Sequence, residues 1–100
     1  MRVTVIIDKE LEGIVPGYLV NRKQDLTLIP NALQEKNFLT IQTSGHRMKG
    51  SGTGYGFVRI SEIGRDLEIA AKEQDSGQIT RLVDDLATYL ESVDIEYEEV

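Results

Sequence analysis

His46 is the only histidine in a chain of 100 residues that contains no cysteine. If its neighbourhood is helical, each residue advances by about 100 degrees, and His46 then projects from a shoulder of the apolar stripe of Ile41, Met48 and Gly52. Solvent can reach it there. Lys49, three residues on, shares that shoulder; Gly50 lies over the next turn and Gln42 one turn beneath. An imidazole beside a cation and a bare patch suits phosphoryl transfer. The ring is a nucleophile near neutral pH, the ammonium offsets charge on the transferring oxygens, and the glycine leaves room for a partner. Spacing alone better describes an ordinary solvated surface histidine.

Other chemistries fit less well. Without cysteine there is no disulfide framework or thiolate site, and one histidine leaves only carboxylates to complete a metal shell, which excludes structural zinc. The glycine run Gly50-Ser51-Gly52-Thr53-Gly54-Tyr55-Gly56 lacks the Gly-Lys-Ser/Thr closure of a P-loop and follows a helix instead of a strand. Nothing supplies the nucleophile elbow of a Ser-His-Asp hydrolase. A net charge of -6, with Lys and Arg scattered along the chain, works against nucleic acid as a partner. No apolar run is long enough to span a bilayer, and no small-residue cleavage site follows Val3 to Ile7, so no membrane contact and a cytoplasmic location are expected.

The elements that must position these residues are helical. The length fits one domain over 1–100. Asp8 can cap a short helix to about Ile14, and Pro16 suits the first turn of a helix running to about Glu35, with Leu19, Leu26, Ile29 and Leu33 inward. Asn37 caps a third helix whose stripe is Phe38, Ile41, Gly45, Met48, Gly52 and Tyr55. Two glycines inside that stripe cost helix propensity and point to close approach by a neighbouring helix. Ile60, Ile63, Leu67, Ala70 and Ala71 line a fourth helix ending near Asp75-Ser76-Gly77. A fifth runs from about Gln78 to Ser92, with Ile79, Leu82, Val83, Leu86 and Leu90 inward. Short links favour an all-α, antiparallel up-down four-helix bundle, with the short N-terminal helix over one end. Val3, Val5 and Ile7 alternate with period two, as do Val93, Ile95 and Tyr97, so the ends can pair as two short strands or fray as tails. The acidic run Glu91 to Val100 reads as a solvated end.

The string His46-Arg47-Met48-Lys49-Gly50-Ser51, with Gly56 ten residues after the histidine, resembles the signature of histidine-containing phosphotransfer (Hpt) domains. The resemblance extends through Ile60-Ser61-Glu62-Ile63-Gly64-Arg65-Asp66-Leu67-Glu68 and back to Pro16-Gly17-Tyr18-Leu19, nearly the whole chain, and looks nearest to compact stand-alone bacterial versions. It implies a four-helix bundle whose exposed histidine is phosphorylated on Nε2. By that resemblance His46 is the phosphoacceptor, Lys49 lies near the phosphoryl oxygens, and Gly50 is the small residue that lets a partner approach. Glu68 falls where the family has a Glu or Gln that accepts from the histidine Nδ1-H. Helical arithmetic agrees, since Glu68 flanks the stripe of Ile63, Leu67 and Ala71. Lys72 is basic in some relatives and reads as a second cation or as a solvated lysine. Gly45 departs from the alanine common before the histidine.

The function so implied is that of a phosphorelay intermediate in two-component signalling, not an enzyme in its own right. A histidine kinase or the aspartyl phosphate of a response-regulator receiver donates to His46, which passes the group to another receiver. The interface would bury His46, Lys49, Gly50 and Thr53, with Gln42 and Lys72 at its margin. No cofactor is expected on this chain, Mg²⁺ belonging to the receiver. The competing readings are a module that binds receivers without transfer and a purely structural bundle.

Overall fold

Residues 2–99 are described by the computed structural model. Strand β1 (Val3–Asp8) leads through a single 3-10 turn (Lys9–Leu11) to helix α1 (Val15–Gln34). Helix α2 (Phe38–Ser51) and a second 3-10 turn (Thr53–Tyr55) precede α3 (Val58–Lys72), α4 (Ser76–Ser92) and strand β2 (Val93–Glu98). The chain is mostly helical, and α1 and α3 each pack on both α2 and α4. Ile29, Ile41, Met48, Phe57, Ile63 and Leu86 meet in the centre without solvent exposure.

Several boundaries differ from the sequence reading, each for a local reason. Asp8 does cap, accepting from the Glu10 N-H at 3.0 Å, but it caps only one 3-10 turn in place of a helix to Ile14. That segment has only half-buried Leu11 to offer the core while Ile14 is exposed, too little to stabilise several turns. The glycine run Gly50 to Gly56, which by sequence should loosen the end of the helix and lead into a turn, does so: α2 stops at Ser51, and Gly56 at φ 93° turns the chain so that Phe57 enters the core. Asp75-Ser76-Gly77, read as a stop, is instead the start of α4. The Asp75 side chain accepts from the Gln78 N-H at 3.1 Å and caps the helix two residues earlier than expected.

Helix α1 is rotated from the expected stripe. Val15, Tyr18, Asp25, Ile29 and Ala32 are buried, whereas Leu19, Leu26 and Leu33 lie half-buried along the flank. A carboxylate thus sits on the inner face. It is tied to Arg22 Nε at 2.8 Å, and the Arg22 guanidinium lies 4.7 Å over the Tyr18 ring.

The terminal strands pair in parallel, with Val3 opposite Val93 and Ile7 opposite Tyr97. Val5, Ile7, Ile95 and Tyr97 pack against the core, and Thr4, Ile6, Asp94 and Glu96 face outward. The helices supply the support that an isolated two-strand ribbon lacks.

The α2–α3 contact is backbone on backbone. A methyl group on Gly45 would fall 2.7 Å from the Glu68 nitrogen and the Gly64 oxygen, and one on Gly64 would fall 2.5 Å from the Lys49 nitrogen. Only paired glycines permit this spacing, which sets how far a side chain of α3 can reach over α2.

Candidate functional site

Asn37 starts α2 by accepting from the Thr40 N-H at 3.2 Å, which fixes the phase at which every later side chain leaves the helix. Ile41, Gly45 and Met48 turn inward, so Leu39, Thr43, His46 and Gly50 emerge along one exposed line. The His46 side chain is 66% exposed.

Glu68 rises from α3 just past the glycine contact, and its side chain is only 12% exposed. Its Oε2 lies 3.0 Å from His46 Nδ1, and its Oε1 accepts from Lys49 Nζ at 2.8 Å. Both carboxylate oxygens are therefore engaged. The hydrogen bond from Lys49 holds the Glu68 carboxyl below the usual glutamate range; burial opposes this, and the hydrogen bond with His46 adds to the lowering. An ionised carboxylate can only accept, so the proton of a neutral imidazole sits on Nδ1 and the lone pair on Nε2. A ring held in that tautomer is a better nucleophile at Nε2.

The remaining sequence-predicted residues are placed as follows. Gly50 is exposed, and nothing lies within 4 Å of where its Cβ would stand, so the open patch beside His46 is real. Gln42 is half-buried one turn beneath the histidine. Thr53 lies beyond the end of α2, where its N-H and hydroxyl both donate to Ser61 Oγ, at 2.7 and 3.0 Å, stapling the turn to α3. Lys72 is exposed and joins no ion pair among the described residues, so it is not part of the His46 cluster. The cluster brought together is His46, Lys49 and Glu68, with Gly50 open beside it.

Sequence reasoning missed three contributors. Gly64 lies in the buried stripe of α3, where a helix-disfavouring residue signals close approach just as Gly45 and Gly52 do. Asp25 and Tyr18 continue the three-four spacing of Val15, Ile29 and Ala32, a pattern hidden by the charge of Asp25. Burial pushes the Asp25 carboxyl up, against the pull of Arg22 and Arg47. Tyr18 shares a 2.8 Å hydrogen bond with Ser51 and stacks on Tyr55 at 4.1 Å, bracing the end of α2 beyond the histidine. The third is charge: residues 36–61 hold Lys36, Arg47, Lys49 and Arg59 but no acid, in a chain of net charge -6.

Among the described residues no group of three or more His, Asp or Glu side chains could hold a metal ion, and no helix is long and apolar enough to cross a membrane. Set against family models, curated proteins and solved structures, the chain matches none, which leaves the geometry of His46, Lys49 and Glu68 to carry the functional reading.

Proposed function

We propose that the chain is an Hpt domain: an antiparallel up-down bundle, working in the cytoplasm, that carries a phosphoryl group on His46 between two-component signalling partners. The observation that carries the reading is the 3.0 Å contact of Glu68 with Nδ1, which leaves Nε2 as the basic nitrogen of a ring 66% exposed.

In the forward step the Nε2 lone pair attacks the phosphorus of a receiver's aspartyl phosphate. The N–P bond forms, the P–O bond to the aspartate breaks, and the carboxylate departs with its electron pair. No proton has to move. Nδ1 keeps its hydrogen, and Glu68 balances the positive charge that the phosphorylated ring acquires. Lys49 stands beside the incoming oxygens and can exchange its bond with Glu68 for one to the phosphoryl group. Onward transfer is the reverse reaction on a second receiver, and a histidine kinase can load the same nitrogen. The carboxylate cluster and Mg²⁺ that complete the transition state belong to the receiver, so this chain acts as a carrier and not as an enzyme.

Incubation with a phosphorylated receiver should label the wild type and leave His46→Gln unlabelled. Equal labelling of both would refute the assignment. Normal receiver binding without transfer would favour a binding module instead.

A further inference from the structure

The two flanks of His46 differ. On the α3 side lie Lys49 and Glu68, already bonded to each other. On the α1 side a shallow groove of about 270 Å³ runs between α1 and α2, lined by Leu28, Leu39, Thr40, Thr43, Ser44 and Arg47. Leu39 is 71% exposed and Leu28 45% exposed, unusual solvation for two leucines meeting at one groove. Leu39, Thr43, His46 and Gly50 follow each other at intervals of four, three and four, so the groove is continuous with the reactive ring. Arg47 is exposed at the groove's His46 end and forms no ion pair among the described residues, and its helix carries no acid.

We infer that this groove is the docking seat of the receiver, which sets an apolar side chain between Leu28 and Leu39 while its acidic surface faces Arg47 and Lys49. The inference rests on the function proposed above and adds which flank of His46 the partner covers. Charge complementarity selects the occupant. A receiver brings carboxylates to the phosphoryl group, and Arg47 and Lys49, carried on a helix without a single acid in an otherwise acidic chain, are the cations they would meet. An apolar anchor beside those cations fixes orientation, as desolvated anchors do at the centre of protein interfaces.

The test separates docking from chemistry with two phosphodonors. Phosphoramidate is small enough to need no docking surface; its N–P bond breaks, ammonia leaves, and Nε2 of His46 takes the phosphoryl group. Phosphorylated receivers of the source organism, surveyed for the fastest donor, report docking. Leu39→Lys should label normally with phosphoramidate but lose about tenfold or more in kcat/KM with the receiver. It adds a cation, so a purely electrostatic seat would speed transfer. Leu28→Lys should behave alike, and Arg47→Glu should slow transfer and flatten its salt dependence. Receiver transfer to Leu39→Lys at the wild-type rate or faster would overturn the inference. A wild type that self-associates until Leu39→Lys separates it would do so too, assigning the groove to a second copy. A wild type labelled by neither donor would instead bring down the proposed function itself.

Discussion

Gly64 of α3 lies so near Gly45 of α2 that a methyl group added to Gly64 would stand 2.7 Å from the Gly45 oxygen. The same methyl group would meet Lys49 N and Met48 Cβ at 2.5 Å. Side-chain chemistry at the surface is thus tied to a backbone contact in the interior, because Glu68 follows Gly64 by one helical turn.

Gly64→Ala should accordingly destabilise the fold by about 1–3 kcal/mol, since backbone on both sides must shift to admit the methyl group. It should also lengthen the His46–Glu68 hydrogen bond, visible as a change in the imidazole nitrogen-15 shifts as the tautomers mix. Gly50→Ala is the control. Its site is open, so stability should be unchanged or rise by up to about 1 kcal/mol in urea melts.

Removing the carboxylate should impair the acceptor without unfolding the bundle. Glu68→Ala leaves Nδ1 without its acceptor, and labelling of His46 should slow by about 10–100-fold. Glu68→Gln keeps a carbonyl oxygen for the Nδ1 hydrogen and should be the milder change. Equal rates for the two variants would contradict an acceptor role.

The two cations predict unequal effects. Lys49→Gln should slow labelling by about tenfold, because on the proposed function the ammonium 2.8 Å from Glu68 would also stand beside the transferring oxygens. Lys72→Gln should stay within about twofold, since that exposed lysine joins no ion pair with the cluster. Reversed magnitudes in a single-turnover assay would move the electrostatic role to α3.

Acid titration should separate the two shifted carboxylates by sign. Glu68 is held below its ordinary value, so its stabilisation is present above the unfolded value of about 4.3 and is lost as pH falls through the lower folded one. The stability advantage of wild type over Glu68→Gln should therefore shrink as pH drops below about 4. Asp25 is pushed up by burial, so the folded state takes its proton more readily and the wild type should gain on Asp25→Asn as pH falls through the folded Asp25 value, which lies above that of the unfolded chain. Urea midpoints across the acid range, wild type against each variant, check both slopes.

Much was legible because it is local. The three-four spacing of Ile41, Gly45 and Met48 is enough to place His46 and Gly50 on the outer face of one helix, and Asn37 marks where that helix begins. The glycines at 45 and 52 announce a close neighbour before its identity is known. Boundaries were less legible where a residue serves two roles. Asp75 reads as a breaker of α3 but caps α4, and Asp25 looks like solvent-facing polarity while pairing with Arg22 inside.

The sequence by itself determined which side chains share a face of each helix, because a period of 3.6 residues is a property of the backbone and needs no partner. It could not determine that Glu68 divides its two oxygens between His46 and Lys49, that Thr53 turns to Ser61, or that the terminal strands run parallel. Those relations join residues from different elements. They depend on the distance and rotation at which helices meet, and here that distance was set by two bare glycine surfaces in contact.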